Sequence, residues 1–330
     1  MKELPLKSIS SAKRILVAPL DWGLGHATRC VPIIYALLEE GKEVILAASG
    51  VGSEFLKKEF PTLQIIDFKG INIKYSKSNS QVWTMIMQIP HILFNICIEH
   101  FKLKKIIQKF DIQAVISDNR FGLWNKNIYS IYITHQISIK VSKNSHILTN
   151  FMRFLHKLFI LRYDECWIPD FEGENNLSGE LSHGFPLPKN AVFIEILSRF
   201  QNLKIEPQPS NYQYVAIISG VEPQRTILEE KLTELFLQTN KKCLIIEGKP
   251  AQNIEIQHIN KITIISHLAD EKLAQTLKNA EKIYCRSGYS TLMDLYALGI
   301  KTAVLIPTAG QTEQEYLAEY FEKKGFEIMW

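Results

Sequence analysis

Short apolar runs alternate with longer segments of helical periodicity through almost the whole 330-residue chain. Runs such as residues 14–18 and 44–48 suit strands that are buried on both faces of a sheet, and the helical segments suit the crossovers between parallel strands. The alternation breaks around residues 185–210, which contain four prolines, and then begins again. It predicts an α/β chain of two Rossmann-like, doubly wound parallel-sheet domains that face each other across a cleft.

The break sets the predicted domain bounds. We expect an N-terminal domain over residues 1–185, a linker region over 186–210 and a C-terminal domain over 211–330. The predicted strands cover residues 14–18, 44–48, 64–68, 113–117, 130–134, 214–218, 243–246, 262–265, 282–285 and 302–306. The predicted helices are one that ends near Gly41, then 83–110, 146–162, 226–237, 270–279, 291–298 and 312–324. Because ligands of such sheets bind beyond the carboxyl ends of the strands, the strand-to-helix turns beside the cleft form the expected site.

Composition excludes several classes of protein. With 46% hydrophobic and 22% charged residues, the chain is an ordinary globular one. Its five cysteines are widely spaced, which argues against a zinc site or a disulfide framework and favours a reducing compartment. Residues 1–13 lack the apolar core of a signal peptide, and the most apolar stretch, residues 84–98, is shorter than the ~20 residues of a membrane-spanning helix. A cytoplasmic location is expected.

Charge is unevenly distributed along the chain. Residues 1–165 contain 22 Lys and Arg against 13 Asp and Glu, whereas residues 166–330 contain 16 against 21. Segments 83–110 and 146–162 combine basic with apolar and aromatic residues, which favours contact with an anionic membrane at the inner face of the cell membrane. Ordinary core helices are the alternative. No nucleic-acid partner is expected, because the net charge is only +4 and no such motif occurs.

The first strand-to-helix turn is rich in glycine and reads DWGLGHATR over residues 21–29. Its two glycines allow close backbone approach to a ligand, and the helix N-terminus behind them suits an anion. Thr28 occupies the third position of the fingerprint GxGxxG, so a nicotinamide or flavin site is incomplete. His26 can accept a proton from a hydroxyl nucleophile near neutral pH, or it merely caps the helix.

Two further turns carry polar groups that suit a nucleotide sugar. The turn RSGYST at 286–291 offers hydroxyl and backbone N–H groups for a diphosphate. Ser287, Thr291 and Asp294 fall on one face of the next helix, where the Asp294 carboxylate can accept both hydroxyls of a ribose. The segment QTEQEY at 311–316 offers amide and carboxylate groups for sugar hydroxyls. The alternative for both turns is an ordinary solvated helix start.

Residues 285–316 resemble the donor-binding region of the MurG-type glycosyltransferases, which are two-domain enzymes of the GT-B fold. The resemblance is carried by CRSG at 285–288 with Thr291 and Asp294, and by Pro307 with QEY at 314–316. The segment GLGH at 23–26 is similar to the Gly-rich turn of that family. The resemblance implies a nucleoside diphosphate sugar donor, a UDP-sugar, held mostly by the C-terminal domain.

The same resemblance implies roles for individual residues. Asp294 stands where the family contacts the ribose, and Ser219-Gly220 stand where it has a phosphate loop, with Arg225 as an added cation. Glu315 departs from the family, which has a glutamine there. The implied donor-binding residues are Gly25, Ser219, Gly220, Arg225, His267, Leu268, Arg286, Ser287, Gly288, Tyr289, Ser290, Thr291, Asp294, Gln311, Gln314 and Glu315.

The expected reaction is inverting transfer of the sugar to a hydroxyl or phosphate acceptor, including a lipid-linked one. His26 would remove the acceptor proton, and Asp118 is the second catalytic candidate. The acceptor-binding candidates are Asp21, Trp22, Asn119, Arg120 and His135. No DxD triplet occurs, so we expect no cofactor beyond the UDP-sugar co-substrate and no obligatory metal.

Two alternatives stay open at this point. A UDP-sugar 2-epimerase needs several carboxylates near the donor, and Asp21, Asp118, Glu222 and Asp294 are available. A non-catalytic nucleotide-sugar-binding protein would need only the donor-binding residues. Release of free UDP, rather than of a new sugar isomer, separates transfer from epimerisation.

Overall fold

The computed structural model describes residues 4–70, 81–140, 146–201, 203, 205, 211–250 and 254–330, with the backbone alone for 81–89 and 146. Contacts divide the chain into two compact units. The first comprises Met1–Asp21 with Cys30–Leu197, and the second comprises Trp22–Arg29 with Ser198–Trp330. Each unit is built around one sheet, as the alternation of strands and helices predicts, and each sheet has seven strands. None of the helices in the described part of the chain has the length and apolar composition of a membrane span.

The first unit contains a fully parallel sheet. Its strands are β1 (Arg14–Pro19), β2 (Glu43–Ala48), β3 (Gln64–Asp67), β4 (Ala114–Asp118), β5 (Tyr129–Ile133), β6 (Glu165–Ile168) and β7 (Ala191–Phe193). Its helices are α1 (Leu24–Glu39), whose start belongs to the second unit, α2 (Gly50–Glu59), α3 (Gln81–Phe110) and α4 (His146–Ile160), with 3-10 turns at Leu6–Ile9 and Gly179–Leu181. The strand order is β3-β2-β1-β4-β5-β6-β7, so all carboxyl ends lie at one edge. Residues 15–18 and 114–116 are fully buried, which explains why these runs are apolar throughout.

The second unit contains a mostly parallel sheet. Its strands are β8 (Tyr214–Ile217), β9 (Cys243–Ile246), β10 (Ile256–Ile259), β11 (Ile262–Ile265), β12 (Lys282–Cys285), β13 (Val304–Leu305) and β14 (Glu327–Ile328). Its helices are α5 (Gln224–Leu237), α6 (Asp270–Lys278), α7 (Tyr289–Ala297) and α8 (Thr312–Glu322). The strand order is β10-β11-β9-β8-β12-β13-β14, and only the β10–β11 pair is antiparallel among these described strands.

The structure differs from the predicted elements at several points. The second sheet is not wholly parallel, because the chain reverses at Asn260, in the left-handed region (φ 53°), and brings β10 beside β11. Helix α2 and strands β6, β7, β10 and β14 were not predicted; these strands have only two to four residues each. Strand β7 lies inside the predicted linker region and extends the first sheet. The segment Trp22–Arg29 groups with the second unit, although the predicted N-terminal domain includes it.

Candidate functional site

The donor-binding candidates of the second unit gather at one edge of its sheet. Strands β11, β9, β8, β12 and β13 are parallel neighbours, so their carboxyl ends share that edge. Ser219 and Gly220 follow β8, His267 and Leu268 follow β11, and the RSGYS segment at 286–290 follows β12. This is the edge at which doubly wound sheets bind ligands.

The start of α7 is tied to the start of α8. The Ser287 hydroxyl donates a hydrogen bond of 2.7 Å to the backbone carbonyl of Gln314. Gly288 is the N-cap residue of α7 in an extended conformation, and it provides no side chain to cap the helix. The first N–H groups of α7 therefore lack the acceptor that a Ser or Asp cap would supply.

Arg286 is a buried cation at this edge. Its guanidinium donates to the carbonyls of Ile306 (3.2 Å) and Pro307 (3.1 Å) and to that of Gln224 (2.8 Å), so it joins three turns. Its buried Nε has no hydrogen-bond partner among the described residues. Burial alone lowers the pKa of Arg286 to about 10, with no opposing effect from a nearby carboxylate, and the group stays positive at neutral pH.

Arg225 has different surroundings from Arg286. Its Nε lies 2.7 Å from Glu222 Oε1, and one Nη lies 3.3 Å from Glu229 Oε2. It also donates to the carbonyl of Glu247 at 3.3 Å. The positive charge of Arg225 is therefore already balanced by carboxylates, and its contact with a diphosphate stays a prediction.

Asp294 lies on the second turn of α7 and is held by Ser198 and Arg199, which begin the longer segment of the second unit. The Ser198 hydroxyl donates to Asp294 Oδ1 at 2.6 Å, and Arg199 Nε lies 3.8 Å from Oδ2. Arg199 also contacts Asp270 at 2.8 Å. Burial raises the pKa of Asp294 to about 6, with Arg199 and Ser198 opposing the rise.

Ser198 and Arg199 are the residues of this site that sequence reasoning missed. They lie in the predicted linker region, 96 positions from Asp294 in the case of Ser198. No local motif marks them, because their role depends on a contact that only the folded unit creates.

The polar side chains at the start of α8 hold the preceding turn. Gln314 Oε1 accepts from the Thr308 N–H at 2.9 Å, and its amide nitrogen donates to Gln311. Glu315 Oε1 accepts from the Gly310 N–H at 2.8 Å. These bonds give the turn after β13 a defined shape, while contacts of these side chains with a sugar stay a prediction.

The contacts of the Gly-rich turn assign its residues Trp22–Arg29 to the second unit. The Ser290 hydroxyl donates to the carbonyl of Gly25 at 2.9 Å. A Cβ atom on Gly25 would lie only 3.1 Å from Ser290 Oγ, so the close approach favours glycine. His26 lies in the first turn of α1 and is half-buried. Trp22, two residues before the helix begins, is half-buried as well.

The acceptor candidate Asp21 lies at the carboxyl edge of the first sheet. Its Oδ2 accepts from the Ser49 hydroxyl (2.8 Å) and from the Gly70 N–H (2.9 Å). Its Oδ1 has no hydrogen bond among the described residues, although Arg120 lies 3.6 Å away. This oxygen is buried beside the Arg120 guanidinium, and the acceptor role of Asp21 stays a prediction.

The Arg120 guanidinium is buried beneath this edge, and its acceptor role stays a prediction. The side chain has no exposed surface, and it donates to Glu99 Oε1 at 2.8 Å. It also donates to the carbonyls of Pro19 (2.9 Å) and Phe68 (3.1 Å). Arg120 therefore links the turns after β1, β3 and β4 through hydrogen bonds from its buried side chain.

The other candidates of the first unit lie at the same edge. Asp118 ends β4, is fully buried and accepts a weak bond from the Cys30 thiol at 3.9 Å. Asn119 follows it in the left-handed region (φ 57°) and accepts from the Tyr132 hydroxyl at 3.0 Å. His135 follows β5 and is buried. The catalytic role of Asp118 and the acceptor roles of Asn119, His135 and Trp22 stay predictions.

Two family models match the chain. Residues 214–330 match the glycosyltransferase family 28 C-terminal domain, and residues 13–161 match glycosyl transferase family 1. A protein of Methanosarcina acetivorans described as an "uncharacterized glycosyltransferase" is 20% identical over 327 residues, which cover 95% of this chain and 84% of that protein.

Solved structures share the fold of the whole chain. The MurG structure of Acinetobacter baumannii aligns with a TM-score of 0.50 at 14% identity, covering 96% of this chain and 85% of that one. UGT89C1 of Arabidopsis thaliana, complexed with UDP-L-rhamnose, aligns with a TM-score of 0.57 at 14% identity and the same coverage. The fold and the resemblance expected from the sequence are thus confirmed. The chain is a glycosyltransferase of the GT-B fold whose residues 214–330 match the glycosyltransferase family 28 C-terminal domain.

Proposed function

We propose that this glycosyltransferase takes a nucleoside diphosphate sugar, a UDP-sugar, and transfers the sugar with inversion to a hydroxyl or phosphate acceptor. The observation that carries the proposal is the turn after β12. There no carboxylate of the described residues pairs with the buried Arg286, and the N-cap residue of the adjoining helix α7 is a glycine. A buried cation and uncapped N–H groups together suit an anion such as a diphosphate.

Neighbouring groups supply what the rest of such a donor requires. Asp294, two turns into the same helix, offers a carboxylate to ribose hydroxyls. The turn before α8, with Gln311, Gln314 and Glu315, offers polar groups to the sugar. The complex of UGT89C1 with UDP-L-rhamnose supports the choice of a UDP-sugar, because that protein has the same fold.

In the proposed chemistry these groups act on the donor and the acceptor. The acceptor oxygen forms a bond to the anomeric carbon, the bond from that carbon to the diphosphate breaks, and His26 takes the acceptor proton. Arg286 and the α7 N–H groups stabilise the charge that develops on the leaving diphosphate. In this mechanism no obligatory metal is required, and activity should persist after EDTA treatment.

The acceptor is proposed to be a hydroxyl or phosphate group, with a lipid-linked acceptor at the inner face of the cell membrane as the preferred form. Asp21, at the carboxyl edge of the first sheet, is the proposed contact for an acceptor hydroxyl. Formation of free UDP from a UDP-sugar panel, in the presence of lipid extracts, tests the transfer. A new sugar isomer without UDP release would instead support the epimerase alternative.

Arg286→Gln is expected to weaken UDP binding by about 10- to 100-fold, because a charge-assisted hydrogen bond contributes ~1.5–3 kcal/mol. Uridine, which has no phosphate, should bind the variant and the native chain equally, and this equality also shows that the variant is folded. Lys242→Gln removes an exposed positive charge at the opposite end of the sheet and should leave UDP binding unchanged. Calorimetric titration measures all three; undiminished UDP binding by Arg286→Gln would contradict the proposal.

Asp294 is expected to make both stability and UDP binding depend on pH. Folding raises its pKa from 3.8 to about 6, so its favourable contribution is complete below pH 3.8 and is lost as pH rises through 6. The loss is at most about 3 kcal/mol. UDP binding should rise over the same interval, because the ionised carboxylate is the better acceptor of ribose hydroxyls.

The matched variant is Asp294→Asn, which cannot ionise. Urea unfolding and UDP titration at pH values on both sides of 6 should show a smaller pH dependence of both quantities in this variant. An identical pH dependence in the two proteins would show that Asp294 is not the group responsible.

A further inference from the structure

Strand β10 is an open edge of the second sheet. It ends the strand order, and β11 is its sole neighbour among the described strands. Every residue from 254 to 261 is exposed, whereas the other edge strands, β3, β7 and β14, each have at least one partly buried residue. Because an edge strand has unpaired N–H and C=O groups along one side, it is a template for pairing with another strand.

The bonds between β10 and β11 show which backbone groups of β10 face outward. The Ser266 N–H donates to the Glu255 carbonyl at 3.0 Å, so the backbone groups of Glu255 face the β11 side. These groups alternate in direction along an antiparallel pair, and those of Gln257 therefore face β11 as well. The N–H and C=O groups of Ile256 and His258 point away from β11 and are available to a further strand.

The same edge exposes apolar side chains. Ile254 is 53% exposed, Ile256 55% and Ile259 38%. Successive side chains of a strand point to opposite faces, so the exposure of all four β10 residues leaves both faces of the strand open. Lysine and proline, which commonly protect edge strands from pairing, do not occur in residues 254–260. We call residues 254–261 the β10 edge; it offers both backbone groups and apolar surface to a partner.

The charges of the β10 edge are complementary to those of a second copy. Apart from His258, the ionisable residues of this edge are Glu255 and Lys261, which lie equally far along the chain from His258 on opposite sides. When two copies pair antiparallel with His258 opposite His258, Glu255 of each copy lies opposite Lys261 of the other. This register also brings together the outward-facing backbone groups, because His258 and Ile256 are the residues that present them.

We propose that β10 pairs with β10 of a second copy of the chain about a two-fold axis, which joins the second sheets of two chains into one continuous sheet. The contact is isologous, so two pairs of Glu255 with Lys261 form together. Within its own chain, Lys261 Nζ donates to the carbonyl and side-chain oxygens of Asn240, and an ammonium group has a third N–H for the carboxylate.

The pairing is expected to be weak. The β10 edge is short, and interfaces of small area give transient complexes, so we expect a dimer with a Kd of about 1–100 μM. A partner strand of different sequence would have to supply the same pair of opposite charges, which a second copy has by symmetry. The inference goes beyond the proposed function and does not depend on the donor.

Sedimentation equilibrium of the full chain tests the pairing without any nucleotide. The native chain should form a dimer whose fraction rises with concentration. Glu255→Lys and, separately, Lys261→Glu should each raise the Kd by about tenfold or more, because two attractive pairs become repulsive. The combined variant, Glu255→Lys with Lys261→Glu, exchanges the charges and should restore the native Kd. All these side chains are exposed, and thermal melts verify that the variants fold.

Matched controls carry the same charge reversals elsewhere. Glu54→Lys and Lys57→Glu alter exposed residues of α2 and should leave the dimer Kd unchanged. A chain that is still monomeric at about 100 μM, the upper end of the expected range, would overturn the proposal. So would a dimer whose Kd is the same in Glu255→Lys as in the native chain, because that dimer would use another surface.

A disulfide trap locates the two-fold axis. In the proposed register the Cα atoms of the two His258 residues lie about 5.5 Å apart, a separation that a disulfide spans. His258→Cys, in a chain whose exposed Cys97 is replaced by serine, should form a covalent dimer with oxidised glutathione. Lys57→Cys in the same background is the control and should stay monomeric. If His258→Cys forms no more covalent dimer than this control does, the proposed pairing is wrong, whatever the affinity of the chain for UDP.

Discussion

Replacing Glu99 by alanine is expected to lower the free energy of unfolding by about 3–5 kcal/mol, which is the usual cost of leaving a buried charge without its partner. Arg120 has no exposed side-chain surface, and Glu99 is its closest carboxylate, at 2.8 Å. Asp21, at 3.6 Å, is farther away and also accepts bonds from Ser49 and Gly70. Urea unfolding, followed by circular dichroism and tryptophan fluorescence, measures the change.

Two variants bracket this effect. Glu99→Gln keeps a hydrogen-bond acceptor but loses the charge, so it should destabilise the chain less than Glu99→Ala does. Glu54→Ala removes an exposed glutamate of α2 and should have little effect. If Glu99→Ala unfolds at the same urea concentration as the native chain, Arg120 does not depend on Glu99 for its stabilisation.

Replacing His26 by alanine is expected to lower kcat for sugar transfer by about 10²–10⁴-fold, the usual contribution of a general base. On the proposed function His26 removes the acceptor proton and does not hold the diphosphate, so the Kd for UDP should stay the same. The control His258→Ala removes an exposed imidazole from β10 and should leave kcat unchanged. A kcat that survives His26→Ala would direct attention to Asp118 as the base.

Much of the fold is encoded in local patterns. Strands β1, β2, β4, β8, β9, β11 and β12 are predicted because residues buried on both faces of a parallel sheet form uninterrupted apolar runs. Strands β7, β10 and β14 lie at or near the sheet edges and have few residues, so their sequences carry no such signal. Their pairing depends on a neighbouring strand that is already in place.

The candidate site also combines features that the local sequence predicts with features that depend on the folded structure. The turn at Arg286 and the carboxylate of Asp294 are predicted because a strand, a glycine and a helix follow one another in a short segment. The contact of Ser198 with Asp294 and the contacts of Arg286 with Gln224, Ile306 and Pro307 join residues distant in sequence, whereas the carboxylates beside Arg225 lie only three and four positions away from it. A composition count treats both arginines as cations, and only the structure shows that Arg286, unlike Arg225, has no carboxylate partner in the described part of the chain.

The bond from Ser198 to Asp294 has a consequence for turnover. A ribose hydroxyl that reaches this carboxylate replaces one hydroxyl donor with another, so occupation of the oxygen changes little in free energy. When the nucleotide product dissociates, the Ser198 hydroxyl can again donate to Asp294 Oδ1. The buried carboxylate oxygen is then not left without a hydrogen-bond donor. On the proposed function, the enzyme would thereby avoid trapping its product at the ribose.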